Sequence, residues 1–197
     1  MPPAIGQYAI LPLIGWASGV DLYLTVALVG IGGRAGWLSL PQGLDGLKNP
    51  LVIGLAVILY AIEFVADKIP YVDSLWDSFH TFIRPTAAGL MGYMAGTQNG
   101  PVVQSVLALL TGTIALDLHA VKASSRLLIN TSPEPFSNIA ASITEDSVVV
   151  FMFWFFVKHP FLSLALIALT LVLTFFILRA LWRFVMKLFR RPGSAPA

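Results

Sequence analysis

The sequence predicts an all-α fold, a polytopic membrane helix bundle of about six transmembrane helices, on three observations. Hydrophobic residues make up 57% of the 197 positions, against roughly 45–50% in soluble domains. Only 11% are charged, where a soluble domain carries about 25%. The mean hydropathy is +0.81, and six spans of about 20 residues need roughly 120 residues. A single membrane domain over 1–191 therefore accounts for nearly the whole chain. A soluble enzyme, a nucleic-acid binder and a disordered chain are excluded by the same figures. The net charge of +2 and pI near 9.0 come from Arg179, Arg183, Lys187, Arg190 and Arg191 at one end. That is a topology signal rather than the footprint of an acidic partner. The absence of cysteine excludes disulfides, thiolate metal sites and thiol nucleophiles.

Span one is expected over 8–33, interrupted by Asp21. The sequence starts Met1-Pro2-Pro3 and its first cation is Arg34, so this stretch is expected to stay as a span rather than be cleaved as a signal. A loop with Pro41, Gly43, Gly46 and Pro50 leads to span two, 51–67. Residues 71–84 read as an interfacial amphipathic helix. Ser74 and Asp77 form a capping box, and Val72, Leu75, Trp76, Phe79, Phe82 and Ile83 lie opposite Asp73, Asp77, Ser78 and Thr81. Pro85 is expected to close it. Pro85 to Leu116 carries no charge and is broken at 97–101, which gives a short span three (86–98) and span four (102–128). Ala88, Gly92 and Gly96 set small residues along one face of span three, a helix-packing seam. Span five is expected over 139–157 and span six from Phe161, with a disordered tail at 192–197.

Positive charge supports this count. With both termini cytoplasmic, nine cations lie inside and three, Arg34, Lys48 and Lys158, lie outside. The halves 1–98 and 101–191 suggest a 3+3 inverted repeat. Arg34 and Arg126 each close a first long helix, and the turns Lys68-Ile69-Pro70 and Lys158-His159-Pro160 correspond, at offsets of 92 and 90.

Ionisable residues inside spans cost on the order of 2.5–3.5 kcal/mol each on insertion scales, so each one calls for a reason. Gln7, Ser18, Asp21 and Thr25 share a sector of span one; Tyr60, Glu63 and Asp67 share a face of span two. His119, Lys122, Arg126 and Asn130 make a stripe on span four, with Asp117 opposite, and span five adds Glu145 and Asp146. In one reading these charges pair to hold helices in register, Glu63 or Glu145 against Lys122 or Arg126. In the other, Asp21, Glu63, Asp67, Glu145 and Asp146 converge as a carboxylate-lined cation or proton site, with His119 as a relay. Lys68, Arg84, Lys122 and Arg126 form a basic cluster that could hold a lipid phosphate. No HExxH, GxSxG or phosphate-loop pattern is present, so hydrolase chemistry has no warrant and no catalytic residue or cofactor is expected.

The run from Glu63 through Asp67-Lys68-Ile69-Pro70, Asp73, Trp76-Asp77, His80 and Arg84-Pro85 resembles the bacterial membrane family known as domain of unknown function 4126. So do His119 to Arg126, Asn130 to Asn138, and Glu145-Asp146. The resemblance implies a multi-pass protein of the bacterial inner membrane and supplies no activity. Glu63-Phe64-Val65-Ala66-Asp67-Lys68 is more loosely similar to the Glu-x-Gly-Asp-Lys/Arg-Ser/Thr motif of calcium/manganese–proton exchangers. It lacks the glycine and has one residue too many, which turns the second carboxylate by about 100° on a helix. The expected function is a small cation transporter or channel, proton-coupled. The alternatives are a non-transporting scaffold and a protein handling anionic lipid. The expected partners are the bilayer, a small cation or an anionic lipid, and a second copy of the chain.

Overall fold

Proline and aspartate punctuate a chain that is otherwise free to be helical. The computed structural model describes residues 6–131 and 135–189; the expected tail at 192–197 lies outside them. Their helices are α1 (Leu11–Val20), α2 (Leu22–Arg34), α3 (Pro50–Ala66), α4 (Val72–Ala95), α5 (Pro101–Ile129), α6 (Pro135–Lys158) and α7 (Pro160–Phe189). Short 3-10 turns stand at Gln7–Ile10, Gln42–Lys48 and Thr97–Asn99, and no strand is present among the described residues. Pro50, Pro101, Pro135 and Pro160 each open a helix, where the missing N–H has no intrahelical partner to lose. Asn49 caps α3, its Oδ1 accepting from Leu51 N at 2.9 Å.

Among the described residues three helices are long and apolar enough to cross a membrane: α5, α6 and the Pro160–Phe184 part of α7. A fourth crossing results if the Gln42–Lys48 turn and α3, bent by 66°, act as one span. The centre of the bundle is α5, with α4 and α1 packed most extensively against it. Small residues allow that approach. A Cβ at Gly92 of α4 would overlap the Leu107 carbonyl oxygen and Thr111 Oγ1 of α5. A Cβ at Gly19 of α1 would lie 2.7 Å from Leu118 Cβ on the other side of α5. The apolar core, including Leu13, Ile14, Val29, Leu118, Val149 and Phe153, fills the space between these helices.

Span one is two helices. Asp21 is extended (φ −148°, ψ 108°), and its Oδ1 caps α2 by accepting from Leu24 N at 2.8 Å. Its short acceptor side chain satisfies a free helix N–H more readily in this conformation than inside a helix.

The region from 71 to 96 corrects three expectations. The helix does not close at Pro85 but runs unbroken from Val72 to Ala95. An interior proline costs about 3 kcal/mol, which is offset here because α5 grips α4 on both sides of it. Thr81 bonds His119 at 3.0 Å, and Gly89 lies against Ala108 and Gly112. Second, Ser74 is not the cap. The helix begins after Tyr71, which is left-handed (φ 68°), and the Ser74 hydroxyl is held by Asn130. Third, the amphipathic face is inverted. Asp73, Asp77, His80 and Arg84 are buried, whereas Leu75, Phe79 and Phe82 are 61%, 64% and 77% exposed. A helix with a polar inner face and an apolar outer face suits a lipid surround, not a water interface.

Candidate functional site

The charged residues of α3, α4, α5 and α6 meet in one buried network along α5. Its outermost layer is amide-rich. Asn130 Nδ2 donates to Asp73 Oδ1 (2.8 Å) and Ser74 Oγ (2.7 Å), and Asn138 Nδ2 donates to Asn130 Oδ1 (2.8 Å). One turn deeper, Lys122 Nζ lies 2.8 Å from Asp67 Oδ2 and Arg126 Nη2 lies 2.6 Å from Glu145 Oε2. Cross-links at 3.5 Å (Lys122–Glu145) and 3.7 Å (Arg126–Asp67) tie the two pairs together. Arg126 also donates to the Asp67 and Asn138 carbonyls at 3.2 and 3.1 Å. Deepest, Arg84 pairs with Glu63, with Asp77 Oδ1 at 3.6 Å and Lys122 at 3.9 Å from Glu63. From Asn130 to His119 the network covers about 16 Å of helix at 1.5 Å per residue, about half of a hydrocarbon core roughly 30 Å thick.

The break in span one closes the inner end. The carbonyls at the C-terminus of α1 carry the negative end of its dipole, and they meet the cations: Arg84 Nη1 donates to Gly19 O at 2.9 Å and Lys122 Nζ to Val20 O at 3.1 Å. His119 is fixed in one tautomer. Arg84 can only donate, so the His119 Nδ1 it reaches at 3.0 Å accepts. The proton is therefore on Nε2, shared between Thr81 Oγ1 (3.0 Å) and the Asp77 carbonyl (3.1 Å). His80 likewise donates from Nδ1 to Trp76 O (2.8 Å) and accepts at Nε2 from the Tyr23 hydroxyl (3.2 Å).

Of the residues singled out in the sequence, Glu63, Asp67, Glu145, Arg84, Lys122, Arg126, Asn130 and His119 share this network. Three do not. Asp21 is the α2 cap. Asp146 points away and accepts from Tyr60 at 3.2 Å. Lys68 donates to the Phe64 carbonyl (2.8 Å) and Ser142 Oγ (3.1 Å), and burial against them pulls its ammonium below the usual lysine value. Asp117 bonds Thr174 of α7. Sequence reading missed Asp73 and Asp77, which it turned toward water, and Asn138. The signal was there: Asp73, Asp77, His80 and Arg84 recur at intervals of four, three and four, a continuous helix face that matches the α5 stripe.

The network carries more negative than positive groups. Glu63, Asp67, Asp73 and Asp77 are buried, and Glu145 is 19% exposed at its side chain. Against these five stand Arg84, Lys122 and Arg126, all buried. Among the described residues, neither carboxylate oxygen of Asp77 receives a hydrogen bond, and neither do Glu63 Oε2, Asp67 Oδ1 and Asp73 Oδ2. Among the described residues no group of three or more His, Asp or Glu side chains is arranged to hold a metal ion.

Apolar helices of spanning length around a buried ionic interior define a helical membrane protein. Within that class the chain belongs to the family described as domain of unknown function (DUF4126), whose model matches residues 10–180. No curated protein and no solved structure matches it.

Proposed function

We propose that the protein is a small secondary transporter that exchanges a cation against protons at the buried network. The observation that carries this reading is the imbalance of five carboxylates against three cations in a buried interior. Like charges brought together in low dielectric cannot all stay ionised, so such a site takes up protons or a cation. Asp77 is the group best suited to hold the exchanged proton, because it is buried and neither of its oxygens receives a hydrogen bond. The interleaved guanidinium and ammonium groups favour proton exchange over chelation of a divalent ion. The broken helix supports the reading too, since half-helix ends aimed at a charged site near the bilayer centre are a transporter device.

The reading includes six crossings, with α1–α2 as one broken span, both termini and the network's outer end in the cytoplasm, and a 3+3 inverted repeat. Hydropathy alone misses α4 because its four ionisable side chains face inward. The test is proton flux. Purified protein in liposomes loaded with a pH-sensitive dye should move protons when a gradient of one of several mono- and divalent cations is applied. Asp77→Asn should lose at least tenfold in rate at an unchanged melting temperature. Absence of cation-driven proton movement, or an Asp77→Asn rate equal to the parent's, refutes the proposal.

The three close ion pairs favour a second reading, a membrane scaffold without transport, which forecasts no flux in any variant. A lipid-phosphate site has less support. Arg84, Lys122 and Arg126 already have carboxylate partners, and Lys68 alone of the cluster has no carboxylate within ion-pair distance among the described residues.

A further inference from the structure

Outside the network, α3 and α6 flank a groove of about 650 Å³ that opens to the outer surface of the bundle, within the roughly 300–1,000 Å³ of ligand pockets. Each wall is an aromatic pair. Tyr60 and Phe64 of α3 have ring centroids 5.9 Å apart; Phe151 and Trp154 of α6 have theirs 5.8 Å apart. Phe151 and Trp154 are more than half exposed. At the groove stands Asp146, which accepts one hydrogen bond from the neutral Tyr60 hydroxyl and forms no ion pair among the described residues.

Its depth makes this arrangement costly. Asp146 is eleven residues into the 24-residue α6, about 17 Å along the helix axis, and so near the middle of a spanning helix. An aspartate at a bilayer centre carries a penalty of on the order of 2.5–3.5 kcal/mol. The network's acidic residues offset that penalty with directly paired cations; Asp146 has no ion-pair partner among the described residues, and Lys122 and Lys68 act on it only at longer range. Its surroundings are suited to supply one from outside, because a positive charge over an aromatic face gains cation–π energy that grows on desolvation. The protein already uses this wall in that way: Lys68 Nζ lies 2.9 Å from the centroid of the Phe64 ring.

We propose that this groove binds a lipophilic organic cation, a positive centre carrying aromatic or alkyl groups, that enters from the bilayer. Its charge would be balanced by Asp146 and its apolar groups held between the Tyr60–Phe64 and Phe151–Trp154 pairs. A hydrated inorganic ion would gain little from such walls, and an anionic amphiphile would meet the carboxylate. The site is separate from the proton-exchanging network and does not depend on it.

Binding is measured without flux, so failure here leaves the transport reading standing and the reverse. The probes are tetraphenylphosphonium and tetraphenylborate, of the same shape and opposite charge, titrated by equilibrium dialysis into full-length protein in zwitterionic nanodiscs. Saturable tetraphenylphosphonium binding above that of protein-free discs is expected, at least tenfold weaker in Asp146→Asn, with tetraphenylborate unaffected by the substitution. Equal tetraphenylphosphonium binding in parent and variant, or none above empty discs, overturns the proposal. Should Asp146→Asn lower the melting temperature, Trp154→Leu on the exposed wall is read in its place. A loss of at least threefold is then expected, and no loss overturns it.

Discussion

Neutralising Glu63 tests whether the deepest ion pair holds the bundle together. Glu63 and Arg84 are both fully buried and bonded to each other. In Glu63→Gln the guanidinium keeps Gly19 O at 2.9 Å, His119 Nδ1 at 3.0 Å and Asp77 Oδ1 at 3.6 Å, so it is not wholly abandoned. Removing one partner of a buried pair costs about 3–5 kcal/mol, and the surviving contacts set the loss at the lower end, about 3 kcal/mol. At about 2–4 °C per kcal/mol for a chain of this size, the melting temperature should fall by about 6–12 °C. Arg84→Met should cost a similar amount, since Glu63 then keeps only Lys122, at 3.9 Å. The double variant removes both charges and should be more stable than the two losses combined by about 2 kcal/mol. Intrinsic tryptophan fluorescence during thermal unfolding in detergent gives all four values. A Glu63→Gln midpoint within about 2 °C of the parent, or strictly additive losses in the double variant, refutes the reasoning.

The α4–α5 seam predicts that Gly92→Leu is far more disruptive than Leu90→Ala. The glycine faces the Leu107 carbonyl, while Leu90 is 57% exposed and its truncation should stay within about 0.5 kcal/mol; equal melting temperatures for the two would place the seam against lipid. For the proposed topology, reporter enzymes fused after Gly100 and at the C-terminus should lie on opposite sides of the membrane, and matching sidedness sinks the six-crossing arrangement.

Most helices were legible in the sequence because apolar length and proline punctuation are local signals: 102–128 against Pro101–Ile129, 139–157 against Pro135–Lys158. The small-residue seam through Gly92 was legible for the same reason. What failed was orientation. Asp73 and Asp77 were turned outward on the assumption that polar faces seek water, a rule that inverts when the surround is lipid and the interior is ionic. Pro85 was read as a stop because propensity weighs the lost hydrogen bond, not the grip of α5 on both sides of it. Asp146 was grouped with Glu145 by adjacency, although neighbours on a helix diverge by about 100°. One joined the network and the other did not.

The inward charges of α4 bear on how the chain is made. A segment carrying Asp73, Asp77 and Arg84 enters a bilayer unwillingly by itself, since each such residue adds about 2.5–3.5 kcal/mol at a helix centre. Arg84 is synthesised after its partner Glu63, 21 residues behind it, and the two can partition into lipid as a pair. Asp67 must wait for Lys122, 55 residues further on, and at about 5–20 residues per second the ribosome takes roughly 3–11 seconds to deliver it. In the six-crossing arrangement proposed above, α3 and α4 would stay an unfinished hairpin during that interval, and the emergence of α5 would complete their ion pairs.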